Sequence, residues 1–262
     1  MRNLNKRAKL NYFRSLLTFR SSGLLLFLSR AIVRLICFTM TTEEVIDLLK
    51  QKSNAKYLAG MKRFGINDKD ALGIPLPELR KIAKGIKTDH ALALALWKIK
   101  IHEARMLASL IADPKLFTEK QADSWVKDFD SWDVCDQVCG NLLDRTAFAI
   151  SKAFEYSAAE EEFVKRAGFV LMAEFAVHNK TAPDDVFIAF FPVIEREAWD
   201  SRNFVKKAVN WALRQIGKRN NNLRGHAIHA AQRILLQNSK PAKWIASNAL
   251  NELSSKPSIS NN

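Results

Sequence analysis

Disulfides, β-hairpins and membrane anchors are the features this chain is least equipped to form. Its three cysteines, Cys37, Cys135 and Cys139, make no Cys-x-x-Cys pair and cannot build a disulfide framework. Cys135 and Cys139 lie one helical turn apart and read as small core residues of a protein in a reducing compartment. We therefore expect the cytoplasm, beside the nucleoid if DNA is the partner. Prolines number seven and glycines nine, and no Asn-Gly or Asp-Gly hairpin signal occurs. Sustained period-2 alternation is missing too, which argues against strands. The apolar run from Leu24 to Phe38 is broken by Arg30 and Arg34, so no membrane span is expected. His226 and His229 have no carboxylate or cysteine at ligand spacing, and we expect neither metal nor cofactor.

Acidic residues are missing from one region altogether. Residues 1–39 hold eight basic side chains (Arg2, Lys6, Arg7, Lys9, Arg14, Arg20, Arg30 and Arg34) and no acid. Removing those eight from the net charge of +14 leaves +6 for the remainder. That surplus favours an anionic partner, nucleic acid first among them. Met40 is followed by Thr41-Thr-Glu-Glu44, a capping-box pattern, and then by the apolar positions Val45, Ile46, Leu48 and Leu49. A helix start directly after an internal Met reads residues 1–39 as upstream read-through or a disposable extension, with a targeting segment the second reading. The expected organisation is that extension, a helical-repeat domain over 40–256, and a disordered tail over 257–262.

From Thr41 onward the apolar spacing is helical throughout, predicting an all-α fold. Expected helices include 42–52, 89–98, 102–112, 119–127, 131–143, 146–156, 160–178, 184–197, 202–219, 223–237 and 241–253. Within them Phe163-Val-Lys-Arg-Ala167 recurs as Phe204-Val-Lys-Lys-Ala208, 41 residues later (204 less 163), and Asn179 and Asn220 keep the same offset. A period near 41 belongs to the HEAT and armadillo class, in which stacked helical pairs share one core. Equivalent inner helices then face one basic groove, and the repeat makes Arg166 and Lys207 equivalent.

Two helix faces carry the chemistry. Trp132 and Asp136 are four residues apart, an indole stacked one turn from a carboxylate, while Val134, Cys135, Val138 and Leu142 point elsewhere and read as core. Lys207, Trp211, Arg214 and Lys218 share one face of the second repeat helix, with Phe204, Ala208, Ala212 and Ile216 on its buried side. A basic face with one indole suits phosphate contact combined with stacking. Asp130 is the expected N-cap of the Trp132 helix. Asp133, about 100° round from Trp132, is expected to cap or face water. Glu103 with Arg105, and Asp144 with Arg145, read as ion pairs or solvated charges. Trp97, Trp125, Trp199 and Trp244 read as packing residues.

Four segments together resemble a known family: Leu72-Gly-Ile-Pro-x-Pro-Glu-Leu-Arg80; Leu96-Trp97 followed by His102-Glu-Ala-Arg105; Ser131-Trp-Asp-x-x-Asp136; and Asn210-Trp-Ala-Leu-Arg214. Over about residues 42–238 the chain is similar to the AlkD-like DNA alkylation repair glycosylases, which are built of HEAT-like repeats. The resemblance implies that Trp132, Asp136 and Trp211 line the cleft holding the modified nucleotide, with Asp136 catalytic. It also implies that Arg166 contacts DNA, and less directly that Tyr57 does. The implied activity is hydrolysis of the N-glycosidic bond of cationic N3- or N7-alkylated purines in double-stranded DNA, by a monomer, without flipping the base into a deep pocket. Such a purine already carries positive charge and leaves without a general acid. Lys207, Arg214 and Lys218 are the expected backbone contacts. Two alternatives share the fold: a non-catalytic binder of damaged or branched DNA, and a protein-binding solenoid anchored by Trp211.

Overall fold

The computed structural model describes residues 40–255. The readings of residues 1–39 and of the tail at 257–262 lie outside the described residues. Fourteen α-helices follow one another among the described residues, with no strand. They are α1 Thr42–Gln51, α2 Ala55–Met61, α3 Leu76–Ile86, α4 His90–Trp97, α5 His102–Ile111, α6 Glu119–Lys127 and α7 Trp132–Asn141. The remainder are α8 Ala149–Ser157, α9 Glu162–His178, α10 Asp184–Ile188, α11 Phe191–Glu197, α12 Asn203–Gly217, α13 Asn221–Leu235 and α14 Lys240–Ser254.

Local chemistry sets most of these boundaries. The predicted capping box opens α1: Glu44 N donates to Thr41 Oγ1, and Thr41 N donates to Glu44 Oε2 at 2.7 Å. Thr118 and Gln121 repeat the device at α6. The single helix expected over 184–197 is two, because Pro192 has no N–H and its ring clashes with the carbonyl four residues back. Proline is tolerated only in a first helical turn, so α11 begins at Phe191.

Helices α5, α7, α9, α12 and α14 pack each on the next, forming one row of neighbours. A second row lies behind it, with α4 on α5, α8 on α9, α11 on α12 and α13 on both α12 and α14. The repeat found in the sequence is a physical contact: the Phe163 and Phe204 rings lie 5.5 Å apart, tilted by 31°. Lys165 and Lys206, one repeat apart, each sit over an indole, Trp199 at 6.0 Å and Trp244 at 4.8 Å. These two tryptophans are 59% and 40% exposed, so they are lids on lysines and not the packing residues expected. Trp97 and Trp125 do pack, stacked 4.0 Å apart inside the fold.

The core of α7 follows the helical period. Val134, Cys135, Val138, Cys139 and Leu142 are wholly buried. Cys135 and Cys139 are free thiols facing the Phe163 and Ala167 carbonyls of α9. Burial pushes the Cys139 thiol well above its ordinary range, which leaves it protonated and unreactive.

Candidate active site

The row of helices sets the side chains of interest along one wall. His102 and Glu103 open α5, Trp132 opens α7, and Arg166, Glu174, Lys207 and Trp211 come from α9 and α12. Helix α2 supplies the opposite side through Tyr57. Between them is a cleft of about 290 Å³, lined by Tyr57, Trp132, Asp136 and Trp211 together with His102, Glu103, Asp133, Gln137 and Glu174. Small-molecule sites begin at about 300 Å³, so this cleft lies at the small end of that range.

Each wall is held by identifiable bonds. Trp132 Nε1 donates to the Phe64 carbonyl at 2.9 Å, fixing the indole to the turn after α2. Arg166 reaches across from α9 and grips Asp136 with two parallel bonds, Nε to Oδ1 at 3.0 Å and Nη2 to Oδ2 at 2.8 Å. Its third bond, Nη1 to the Phe204 carbonyl at 2.6 Å, ties the pair to α12. The guanidinium also stands 6.0 Å from the centre of the Trp132 ring. Burial raises the Asp136 carboxyl above the ordinary carboxylate range, with Arg166 acting against that shift. Arg166 itself is buried and stays charged: desolvation opposes its charge, and Asp136 more than offsets this.

Asp133 does not face water. Its Oδ2 lies 2.9 Å from His102 Nε2, while Oδ1 accepts from Ser131 Oγ and from its neighbour's backbone at Val134 N. Burial would lower the His102 pKa, but the Asp133 carboxylate reverses this and raises it, while burial of Asp133 is likewise outweighed by His102. The two therefore form an ion pair. Glu103 is neither solvated nor paired with Arg105. It is 1% exposed, and its carboxylate accepts from Leu72 N, Gly73 N and Ile74 N at 2.8, 2.7 and 3.1 Å. Gly73 sits at φ +73°, and an added Cβ would come 2.4 Å from the Asn54 carbonyl oxygen. Arg105 instead lies over Trp97 and donates to the Asp128 carbonyl. Asp144 is buried against His178, with Arg145 farther off at 3.8 Å. Asp130 is not the α7 cap; Ser131 holds that position, and Asp130 accepts from Asn67 at 2.9 Å.

The expected basic face is divided. Lys207 is exposed and lines an adjoining groove of about 490 Å³ with Arg63, Phe64, Trp132 and Arg166. Arg214 and Lys218 both bind Glu252 of α14, Lys218 at 3.1 Å. Tyr57, Trp132, Asp136 and Trp211 thus share one cleft, Arg166 and Lys207 share the groove beside it, and Arg214 and Lys218 stand apart on an ion pair. Of the lining residues, Glu174 was not singled out in the sequence, and Asp133 was expected to cap or face water and not to pair with His102. His102 was visible within a family-like segment, but Glu174 had no motif around it.

A family model described as DNA alkylation repair enzyme matches residues 45–253. The chain belongs to that family. No curated protein matches it. Among solved structures it is similar to one described as a new family of proteins related to the HEAT-like repeat DNA glycosylases with affinity for branched DNA structures. The TM-score is 0.68 at 19% identity, covering 81% of this chain and 95% of that one. The likeness establishes a HEAT-like repeat fold. Among the described residues no helix is long and apolar enough to cross a membrane.

Proposed function

We propose that this member of the DNA alkylation repair family is a glycosylase that releases cationic N3- or N7-alkylated purines from double-stranded DNA, acting as a monomer. The observation that carries the reading is the cleft in which the Asp136 carboxylate stands among Trp132, Trp211 and Tyr57. As the C1′–N bond breaks, its electron pair neutralises the departing purine and positive charge develops on the sugar. Water then adds to C1′ and loses a proton. Asp136 stabilises the sugar cation and orients that water. A unit charge ~4 Å away is worth about 4 kcal/mol at an effective dielectric near 20. Arg166 offsets part of that field, so the contribution is about two orders of magnitude in rate.

In this scheme Arg166 positions Asp136. A carboxylate offers about four lone-pair sites, and the guanidinium occupies two of them. The other two remain for water and sugar. Trp132 and Trp211 hold the cationic nucleotide by π contact, each at about 0.5–2 kcal/mol. Tyr57 closes the opposite wall, and Lys207 contacts the DNA backbone.

A second reading, a non-catalytic binder of branched or damaged DNA, is favoured by the closeness of the Asp136–Arg166 pair and by the branched-DNA affinity described for the similar structure. Asp136→Asn separates the two. Release of 7-methylguanine from methylated duplex should fall about 100-fold while duplex affinity stays within about twofold. Release at the wild-type rate would overturn the catalytic assignment.

A further inference from the structure

Four carboxylates line the cleft: Glu103, Asp133, Asp136 and Glu174. Three of them are already matched. Glu103 accepts from three backbone N–H groups, Asp133 is paired with His102, and Asp136 with Arg166. The Glu174 carboxyl makes no hydrogen bond among the described residues; its nearest cation is His178 Nε2, 3.7 Å away and one turn along α9. The fold makes room for it in this position. Gly140, on α7, faces Glu174, and a Cβ there would come 2.8 Å from Glu174 Cδ and Oε1. A glycine inside a helix is destabilising by about 1 kcal/mol relative to alanine. Here it lets the carboxyl lie against the α7 backbone.

We propose that Glu174 is the specificity-determining residue that makes this cleft select a positively charged ligand. The proposal rests on the glycosylase reading of the same cleft and names the charge that reading leaves unassigned. Asp136 supplies only part of it, because Arg166 is bound to the same carboxylate and offsets part of its field. An anion on Glu174 would be the uncompensated charge on the wall, and a cationic nucleotide is the ligand that completes it. The surroundings match this role. Burial pushes Glu174 up to about 7, with Asp144 and Asp136 adding to the shift and His178 and Arg145 opposing it. Near neutrality this carboxyl is therefore poised between its protonated and ionised forms, and a bound cation draws the proton off.

The test uses the full chain and two duplexes, one carrying a cationic pyrrolidine abasic analogue and the other its neutral tetrahydrofuran counterpart. Wild type should prefer the cationic duplex, and that preference should grow from pH 6 to pH 8 as Glu174 ionises. Glu174→Gln should bind the neutral duplex as wild type does, lose about tenfold on the cationic one, and show no such pH trend. Gly140→Ala, which displaces the carboxyl without removing it, should reproduce part of that loss. A cation preference that survives undiminished in Glu174→Gln, or is absent from wild type, overturns the proposal. Base release is read separately. If wild type releases 7-methylguanine while Glu174→Gln keeps its cation preference, this inference falls and the glycosylase reading stands. If wild type releases no base yet prefers the cation through Glu174, the glycosylase reading falls and this one stands.

Discussion

Glu103 anchors the loop that enters α3, with three backbone donors on one buried carboxylate. Glu103→Ala would leave the Leu72, Gly73 and Ile74 N–H groups without an acceptor away from water. The expected loss is about 3–5 kcal/mol by urea denaturation, and a loss under ~1 kcal/mol would mean that water takes the carboxylate's place. Glu174 makes a second prediction at this scale. Its pKa is raised in the folded protein from 4.5 to about 7. Between those values the folded state binds more protons than the unfolded chain, so stability declines as pH rises through the window. The urea midpoint of wild type should therefore fall relative to that of Glu174→Gln on going from pH 5 to pH 8. Parallel curves for the two proteins would exclude the shift.

At the scale of elements, α9 and α12 are the two copies of the repeat, and their interface holds the site in register. Arg166 bridges them by binding Asp136 on α7 and the Phe204 carbonyl on α12. The Phe163–Phe204 contact lies beside that bridge. A double-mutant cycle with Phe163→Leu and Phe204→Leu should give a coupling of about 0.5–1.5 kcal/mol. A coupling near zero would mean the two rings are neighbours without being partners. Helix bounds were largely legible in advance, because caps and apolar spacing are local. The break between α10 and α11 was missed, because the apolar spacing on either side suggested one helix and masked the effect of Pro192.

For the whole molecule the question is which positive charges a polyanion can use. Residues after the N-terminal 39 carry a net +6, but pairing decides how much of it is available. Lys207 is exposed and has no acidic partner among the described residues, whereas Lys218 shares Glu252 with Arg214. Lys207→Ala should therefore lower the slope of log K against log salt by about 0.9, the value of one phosphate contact. Lys218→Ala should change it little, and equal effects would show that DNA displaces Glu252. A slope near zero for wild type would favour a protein-binding solenoid over both DNA readings.

The chain alone determined the helical class, the 41-residue repeat, the buried face of α7 and the placing of Trp132 and Asp136 on one helix face, while the place of Trp211 beside them was implied only by the family resemblance. Those properties depend on side-chain period and on motifs that recur at fixed spacing, and both are local. Pairing was decided only by the tertiary structure. Asp136 meets Arg166 across 30 residues and His102 meets Asp133 across 31, distances over which sequence spacing carries no partner information. The same holds for Glu103, which resembled a solvated charge until the loop folded onto it, and for Glu174, whose surroundings come from α7 and the turn after it. A carboxylate's identity is written in the sequence, but its charge state depends on what the fold places beside it.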